Sequence, residues 1–342
     1  MTAAQTSYVA DPGRVRELAA AIAGRTLSPV ALARRYLDRI GEADPHVQCW
    51  REVDGERALA VAAERESEAA QGRIRGALHG VPVAIKDIID VEGLPTRANS
   101  RSRASAPPAS NDAEIVLALK AQGAVILGKV HTTEFAYFDP SPARNPHNLA
   151  HTPGGSSSGS AAAVAAGMAP AAVGTQTVAS VNRPAAYCGI GAFKPSTRSL
   201  SVFGITPLGP SYDTPGFYGW SVDDAVYVYE AVAPSFLPPK PAVAPRAKAT
   251  ICIPEDPHTC DAIPEIKAMV DRLADAFAAA GHKVKRVTSP ISFERLFTIQ
   301  RSTTIPAGFA ANALPIAAIL SSRPGTDRDM CAWARDLAQL SM

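Results

Sequence analysis

The stretch GVPVAIKDIIDVEG, residues 80–93, decides the fold class. It is apolar and β-branched from Val81 to Ile85, bounded by Gly80, Pro82 and Gly93, and too short for a buried helix. It therefore predicts a buried strand with Lys86 at its exit. Such a strand belongs in a sheet with helices on both faces.

The flanking segments supply those helices. Asp11-Pro12 and Ser28-Pro29 each place a capping residue before a proline suited to the first helical position. The segments GRVRELAAAIAG (13–24) and VALARRYLDRIG (30–41) are amphipathic, with expected stops at Gly24 and Gly41. A third helix is expected from about 54 to 71. Residues 112–127 read as a helix capped by Asp112 and stopped by Gly123, then a strand, AVIL. SAAAVAAGM (160–168) reads as a helix of very small side chains that neighbouring backbone can approach closely. After a proline-rich connection at 234–248, ATICIP, a helix over about 262–280 and HKVKRV read as a βαβ unit. The expected class is α/β, in one domain spanning 1–342. Its parts are an N-terminal helical segment (1–75), a core (76–235) and a C-terminal part (236–342).

Bulk composition narrows the function. With 46% hydrophobic residues among 342, the chain has enough apolar material for a large core. The net charge is +2, and the basic residues are spread without a stripe or interleaved aromatics. That gives no electrostatic case for nucleic acid or an anionic membrane. Five cysteines (Cys49, Cys188, Cys252, Cys260 and Cys331) are scattered and odd in number, which argues for a reducing compartment over a disulfide framework. The first residues lack a basic segment followed by an apolar one, and no run reaches 18 apolar residues. A cytoplasmic protein without a membrane span is the expectation.

Several motifs compete for the chemistry. GAVILGKV (123–130) has a G-x-x-x-x-G-K core, but Val130 stands where a hydroxyl must hold magnesium, and AVIL wants to be a strand. GSSSG (155–159) matches G-x-S-x-G with Ser157 as nucleophile, yet NPHNLAHTPG upstream is loop-like, and His258 and His282 lack an acid–histidine context. His147 and His151 have i, i+4 spacing, but Pro146 and Pro153 break any helix there, so loop histidines are expected and no metal site. Lys86 is unusual at the end of a buried strand. It is either the partner of Asp87 or Asp90, or a desolvated lysine able to act as a base.

Three segments occur in order: LHGVPVAIKDIIDVEGLPT (78–96), TPGGSSSGSAAAVAAGM (152–168) and GTQTVASVNRPAAYCGIGAFKPS (174–196). With GKVHTTEFA (128–136) and YDTPGFYGWSVDDA (212–225), they resemble the amidase signature family of serine hydrolases over roughly residues 10–235. The resemblance implies a large central mixed β-sheet covered by helices on both faces, C-terminally shortened here, with an atypical tail at 302–342. It implies a Ser–Ser–Lys triad in which Lys86 is the base, Ser156, beside a cis peptide bond, the bridge, and Ser180 the nucleophile. The oxyanion and substrate-binding set it implies is the backbone of Thr177, Val178 and Ala179, with Ser157. Family members usually carry Gly-Gly where this chain has Val178-Ala179, and an aliphatic residue where it has Asn182.

The implied activity is hydrolysis of a carboxamide C–N bond, giving an acid and ammonia or an amine, through a Ser180 acyl-enzyme and without a cofactor. One alternative is a glutaminase of the glutamyl-tRNA amidotransferase A type, working within a larger assembly. Another is a catalytically degenerate paralogue that binds a ligand or partner. The expected partner is a small-molecule amide, neither nucleic acid nor membrane, and a homodimer stays open.

Overall fold

The computed structural model describes residues 7–237, 248–255 and 262–288, together with the backbone of two strands at 302–309 and 315–321. In chain order the elements are α1 (Val15–Ala23), α2 (Pro29–Val47), β1 (Trp50–Val53), α3 (Gly55–Ala70), β2 (Pro82–Lys86), α4 (Glu114–Ala121), β3 (Val125–Val130) and α5 (Ser158–Ala165). They continue as β4 (Ala171–Gln176), α6 (Asn182–Cys188), β5 (Gly191–Lys194), β6 (Thr214–Gly219), α7 (Val222–Val232), β7 (Thr250–Glu255), α8 (Pro264–Ala279), β8 (Lys283–Thr288), β9 (Ser302–Phe309) and β10 (Pro315–Ser321).

Eight strands form one sheet in the order β1-β3-β2-β4-β6-β5-β9-β10. β3, β2 and β4 are mutually parallel and the outer pairings are antiparallel, so the sheet is mixed. β7 and β8 pair in parallel as a separate two-stranded sheet, linked by α8 as the βαβ pattern predicts.

Strand alternation divides the apolar residues between two cores, one on each face. Val83, Ile85, Val173, Phe193 and Phe217 face one core with residues of α4, α7 and α8, including Leu119, Val226 and Leu273. Ala84, Leu127, Ala172, Ala192 and Tyr218 face the other with Leu32, Tyr36 and Ile40 of α2 and the alanines of α5. The helix of small side chains is thus a spacer that lets its own backbone lie against the sheet. At Gly159 a Cβ would stand 2.4 Å from the His131 amide nitrogen, so no larger residue fits.

Local signals held at some helix ends and were overridden at others. Ser28 caps α2 by accepting from the Ala31 amide at 3.1 Å, with Pro29 at the first position. Gly24 and Gly123 close α1 and α4 as expected. Gly41 does not stop α2. The helix runs a further turn and a half to Val47, because Ala43 and Val47 are fully buried in the same core as Tyr36. Their burial outweighs the ~1 kcal/mol that glycine costs mid-helix. Asp11 and Asp112 do not cap their helices either. Asp11 accepts from the Gly13 amide and pairs with Arg14, while the Val15 amide at the start of α1 is taken by Asp224 at 2.7 Å. Asp112 accepts from the Glu92 amide and from Lys120 Nζ.

GAVILGKV forms β3 rather than a phosphate loop. Among the described residues, no helix is long and apolar enough to cross a membrane. Residues 238–247 of the proline-rich connection, His258, Cys260, Cys331 and 322–342 of the tail lie outside the described residues.

Candidate active site

Lys86 ends β2 at the centre of the sheet, with no solvent exposure. Its Nζ stands 2.7 Å from Ser156 Oγ and 2.9 Å from Thr175 Oγ1. Among the described residues it forms no ion pair. Asp87, one of its two candidate partners, instead pairs with Lys129 at 2.9 Å. Burial holds the Lys86 ammonium well below the usual lysine range, with the charge of Asp213 pulling the other way. Burial thus favours the uncharged amine, which faces a hydroxyl.

Ser156 reaches that amine from the turn that leads into α5. The Gly155–Ser156 peptide bond is cis. Both of its flanking carbonyls are held: Gly155 O accepts from Arg183 Nε at 2.9 Å and Ser156 O from the Thr133 amide at 3.0 Å. Gly154 adopts φ +78°, and a Cβ there would stand 3.1 Å from Pro184 Cα. The chain before the serine thus lies directly on α6. Ser157 is fully buried; its Oγ donates to Thr175 O at 3.1 Å and accepts from the Thr175 amide at 3.2 Å. Thr175 is consequently tied to both serines, to Ser157 through its backbone and to Ser156 through their shared contact with Lys86.

Ser180 lies in the turn between β4 and α6, half-buried. Its carbonyl accepts from the Ser157 amide at 3.3 Å and from Tyr218 Oη at 3.1 Å, which anchors the turn beside the Ser156–Ser157 segment. The buried Gln176 Oε1 accepts from the Val181 and Asn182 amides at 2.8 and 3.0 Å. The amides of Val178, Ala179 and Ser180 find no acceptor among the described residues. Three amides without an acceptor among the described residues therefore run up to the serine, donors of the type that binds an oxyanion. Neither Val178 nor Ala179 has a positive φ, so side chains at these positions introduce no left-handed backbone. Thr177 Oγ1 donates to Asp213 Oδ1, and Asp213 Oδ2 accepts from the Leu208 and Gly209 amides at 2.9 and 3.0 Å. That carboxylate fastens the donor-bearing turn to the loop before β6.

The structure thus gathers Lys86, Ser156, Ser157, Thr177, Val178, Ala179 and Ser180 at the ends of β2 and β4. Thr175, Gln176 and Asp213 were not anticipated. Thr175 meets Lys86 only because β4 pairs in parallel with β2, Ile85 opposite Val173, a register no local pattern announces. His147 lies in a loop, its Nε2 3.0 Å from Cys188 O, and His151 lies in the same loop.

A family model described as Amidase matches residues 31–299. The A component of the glutamyl-tRNA(Gln) amidotransferase of Acidothermus cellulolyticus is 41% identical over 224 residues, covering 64% of this chain and 44% of the relative. Its counterpart from an Anaeromyxobacter species is 40% identical over 226 residues, covering 64% and 46%. The chain spans about half the length of these relatives. Among solved structures, the peptide amidase of Stenotrophomonas maltophilia superposes with a TM-score of 0.84 at 22% identity, over 96% of both chains. The A component of the Thermotoga maritima glutamyl-tRNA(Gln) amidotransferase gives 0.74 at 22%, over 90% of both. These structural likenesses concern the fold.

Proposed function

The chain belongs to the amidase signature family, and from that premise we propose that it hydrolyses a carboxamide C–N bond through an acyl-enzyme on Ser180. In the forward step Ser180 Oγ bonds to the amide carbon. Its proton passes to Ser156, whose own proton passes to neutral Lys86. The negative oxygen that develops is met by the free amides of Val178, Ala179 and Ser180. As the C–N bond breaks, Lys86 returns a proton to Ser156, which gives its own to the departing nitrogen, and this leaves as ammonia or an amine. Water then attacks the ester, its proton passing through Ser156 to Lys86; as the C–Oγ bond breaks, that proton returns through Ser156 to Ser180 Oγ, and the acid departs. Ser157 and Thr177 serve this site by holding backbone: the first clamps Thr175, the second binds Asp213.

The observation that carries this reading is the 2.7 Å contact between a fully buried lysine and the Ser156 hydroxyl. A lysine that has no carboxylate partner among the described residues and touches hydroxyls is suited to be a base. The test is covalent labelling with a fluorophosphonate, read by intact mass. One adduct on Ser180 is expected, absent in Ser180→Ala and Lys86→Ala. A folded wild-type protein that takes no label would favour a degenerate, binding-only paralogue.

A second reading, glutaminase within an amidotransferase, is favoured by the 41% identity to an amidotransferase component. It predicts ammonia release from glutamine that rises when the other amidotransferase components are added.

A further inference from the structure

Exposed apolar side chains are concentrated on the segments tied to the Ser156 and Ser180 turns. Among the described residues, eleven large hydrophobic side chains are exposed, and six of them sit on segments hydrogen-bonded or packed to the catalytic turns. Tyr137 and Phe138 are 61% and 74% exposed, with ring centroids 4.6 Å apart. They follow Thr133, whose amide holds Ser156 O and whose hydroxyl donates to Tyr137 O at 2.7 Å. Val178 stands two residues before the nucleophile. The Tyr187 ring lies where a Gly154 Cβ would meet it at 3.2 Å. Leu208 and Tyr212 flank Gly209, and that loop is bound through Asp213 to Thr177. Exposed aromatic side chains scattered singly need no explanation, but such a concentration marks a place where apolar surface is meant to be covered.

The carboxylate tied to the donor-bearing turn is already engaged: Asp213 is occupied by Thr177, Leu208 and Gly209. A free amino acid amide such as glutamine needs partners for both an ammonium and a carboxylate. The carboxylate fastened to the donor-bearing turn is not free to take the ammonium.

Resting on the acyl-enzyme reading of Ser180, we propose that these side chains select amides bearing an aromatic or long aliphatic group over acetamide and over glutamine. Phe138 and Tyr212, on separate segments, are the specificity residues. Their flat faces cover an aryl group at little entropic cost, since each side chain has few rotatable bonds to fix.

The experiment compares 4-phenylbutanamide, hexanamide, acetamide and L-glutamine by ammonia release, with fluorophosphonate labelling of Ser180 run in parallel. A kcat/KM at least about tenfold higher for 4-phenylbutanamide than for acetamide or glutamine is expected, the scale that one or two buried methylenes already give. Phe138→Ser and Tyr212→Ser should each cut the 4-phenylbutanamide-to-acetamide ratio about fivefold, mainly through KM. Phe138 is exposed enough for its serine variant to fold normally. Labelling with a flat preference, or one favouring acetamide or glutamine, would overturn the selectivity alone. Absence of labelling and of turnover would overturn the acyl-enzyme reading, and this proposal with it.

Discussion

The ends of β2 and β3 lie side by side, Ile85 opposite Lys129 and Lys86 opposite Val130, and each buries a lysine with no exposure. Their surroundings differ in one respect. Lys129 meets the Asp87 carboxylate at 2.9 Å, Thr96 Oγ1 at 3.0 Å and Pro95 O, a set of acceptors that suits an ammonium. Lys86 meets two hydroxyls, which donate as readily as they accept. Burial lowers both lysines; for Lys129 the adjacent Asp87 carboxylate opposes it in part, whereas for Lys86, among the described residues, the opposing charge is that of Asp213, without an ion pair. On the function proposed above, the same residue type on neighbouring strands is a structural cation in one place and a base in the other. Buried acceptor chemistry, rather than burial itself, makes the difference.

The comparison breaks most visibly under matched substitution. Lys86→Met should lower turnover by about 10²–10⁴-fold, the span typical of removing a general base. It should leave the fold at least as stable, because a depressed lysine costs stability wherever the unfolded chain holds a proton that the folded one resists. That cost is full below the folded pKa and fades as pH rises toward ~10.4, so the gain from Lys86→Met should be larger at pH 6 than at pH 9. Lys129→Met leaves Asp87 buried without its cation and should cost about 3–5 kcal/mol. Urea unfolding of the two variants at both pH values reads this. Equal losses in both would mean that the two lysines are alike after all.

A pH profile sharpens the same contrast. Only neutral Lys86 accepts a proton, so the rate of Ser180 labelling should fall as pH drops through its folded pKa. That acid limb should lie well below the ordinary lysine range of ~10.4. A limb near 10 would show that burial does not free the base. Thr175→Val removes one of the two hydroxyls and should reduce kcat about tenfold, the worth of one hydrogen bond to a buried polar group. It should also displace the acid limb, an effect that mere loosening of the turn would not produce.

Much of this was legible in the chain. VPVAI followed by a lysine announced both a buried strand and an unusual charge, and the glycine-serine run and the small residues around Ser180 announced tight backbone. What was not legible depends on distant partners. Lys86 had two acidic neighbours in sequence, and nothing local says that Asp87 turns across to β3 instead. Asp11 and Asp112 carry the right chemistry for caps, but nearer donors claim them, and Asp224, over two hundred residues away, serves α1. Gly41 fails as a stop because burial of Ala43 and Val47 is a tertiary effect. Thr175 and Asp213 become parts of the site only through strand register and loop closure, which periodicity does not encode.

The smallest effect is expected where the sequence departs most from its family. Val178→Gly with Ala179→Gly restores the family's usual pair, and the sequence alone suggests that this should raise turnover. The structure argues otherwise. Both residues keep negative φ, and their amides are already without acceptors among the described residues. Glycine there adds no donor, and it adds backbone freedom worth roughly 0.5–1 kcal/mol per residue that folding must remove. Turnover on a good amide should change by less than about threefold, set against the hundredfold or more that losing an oxyanion donor costs. A tenfold rise would mean that the valine blocks the acyl group after all. The contrast between the two lysines would then remain, with the turn before Ser180, rather than Lys86, as the step that limits the rate.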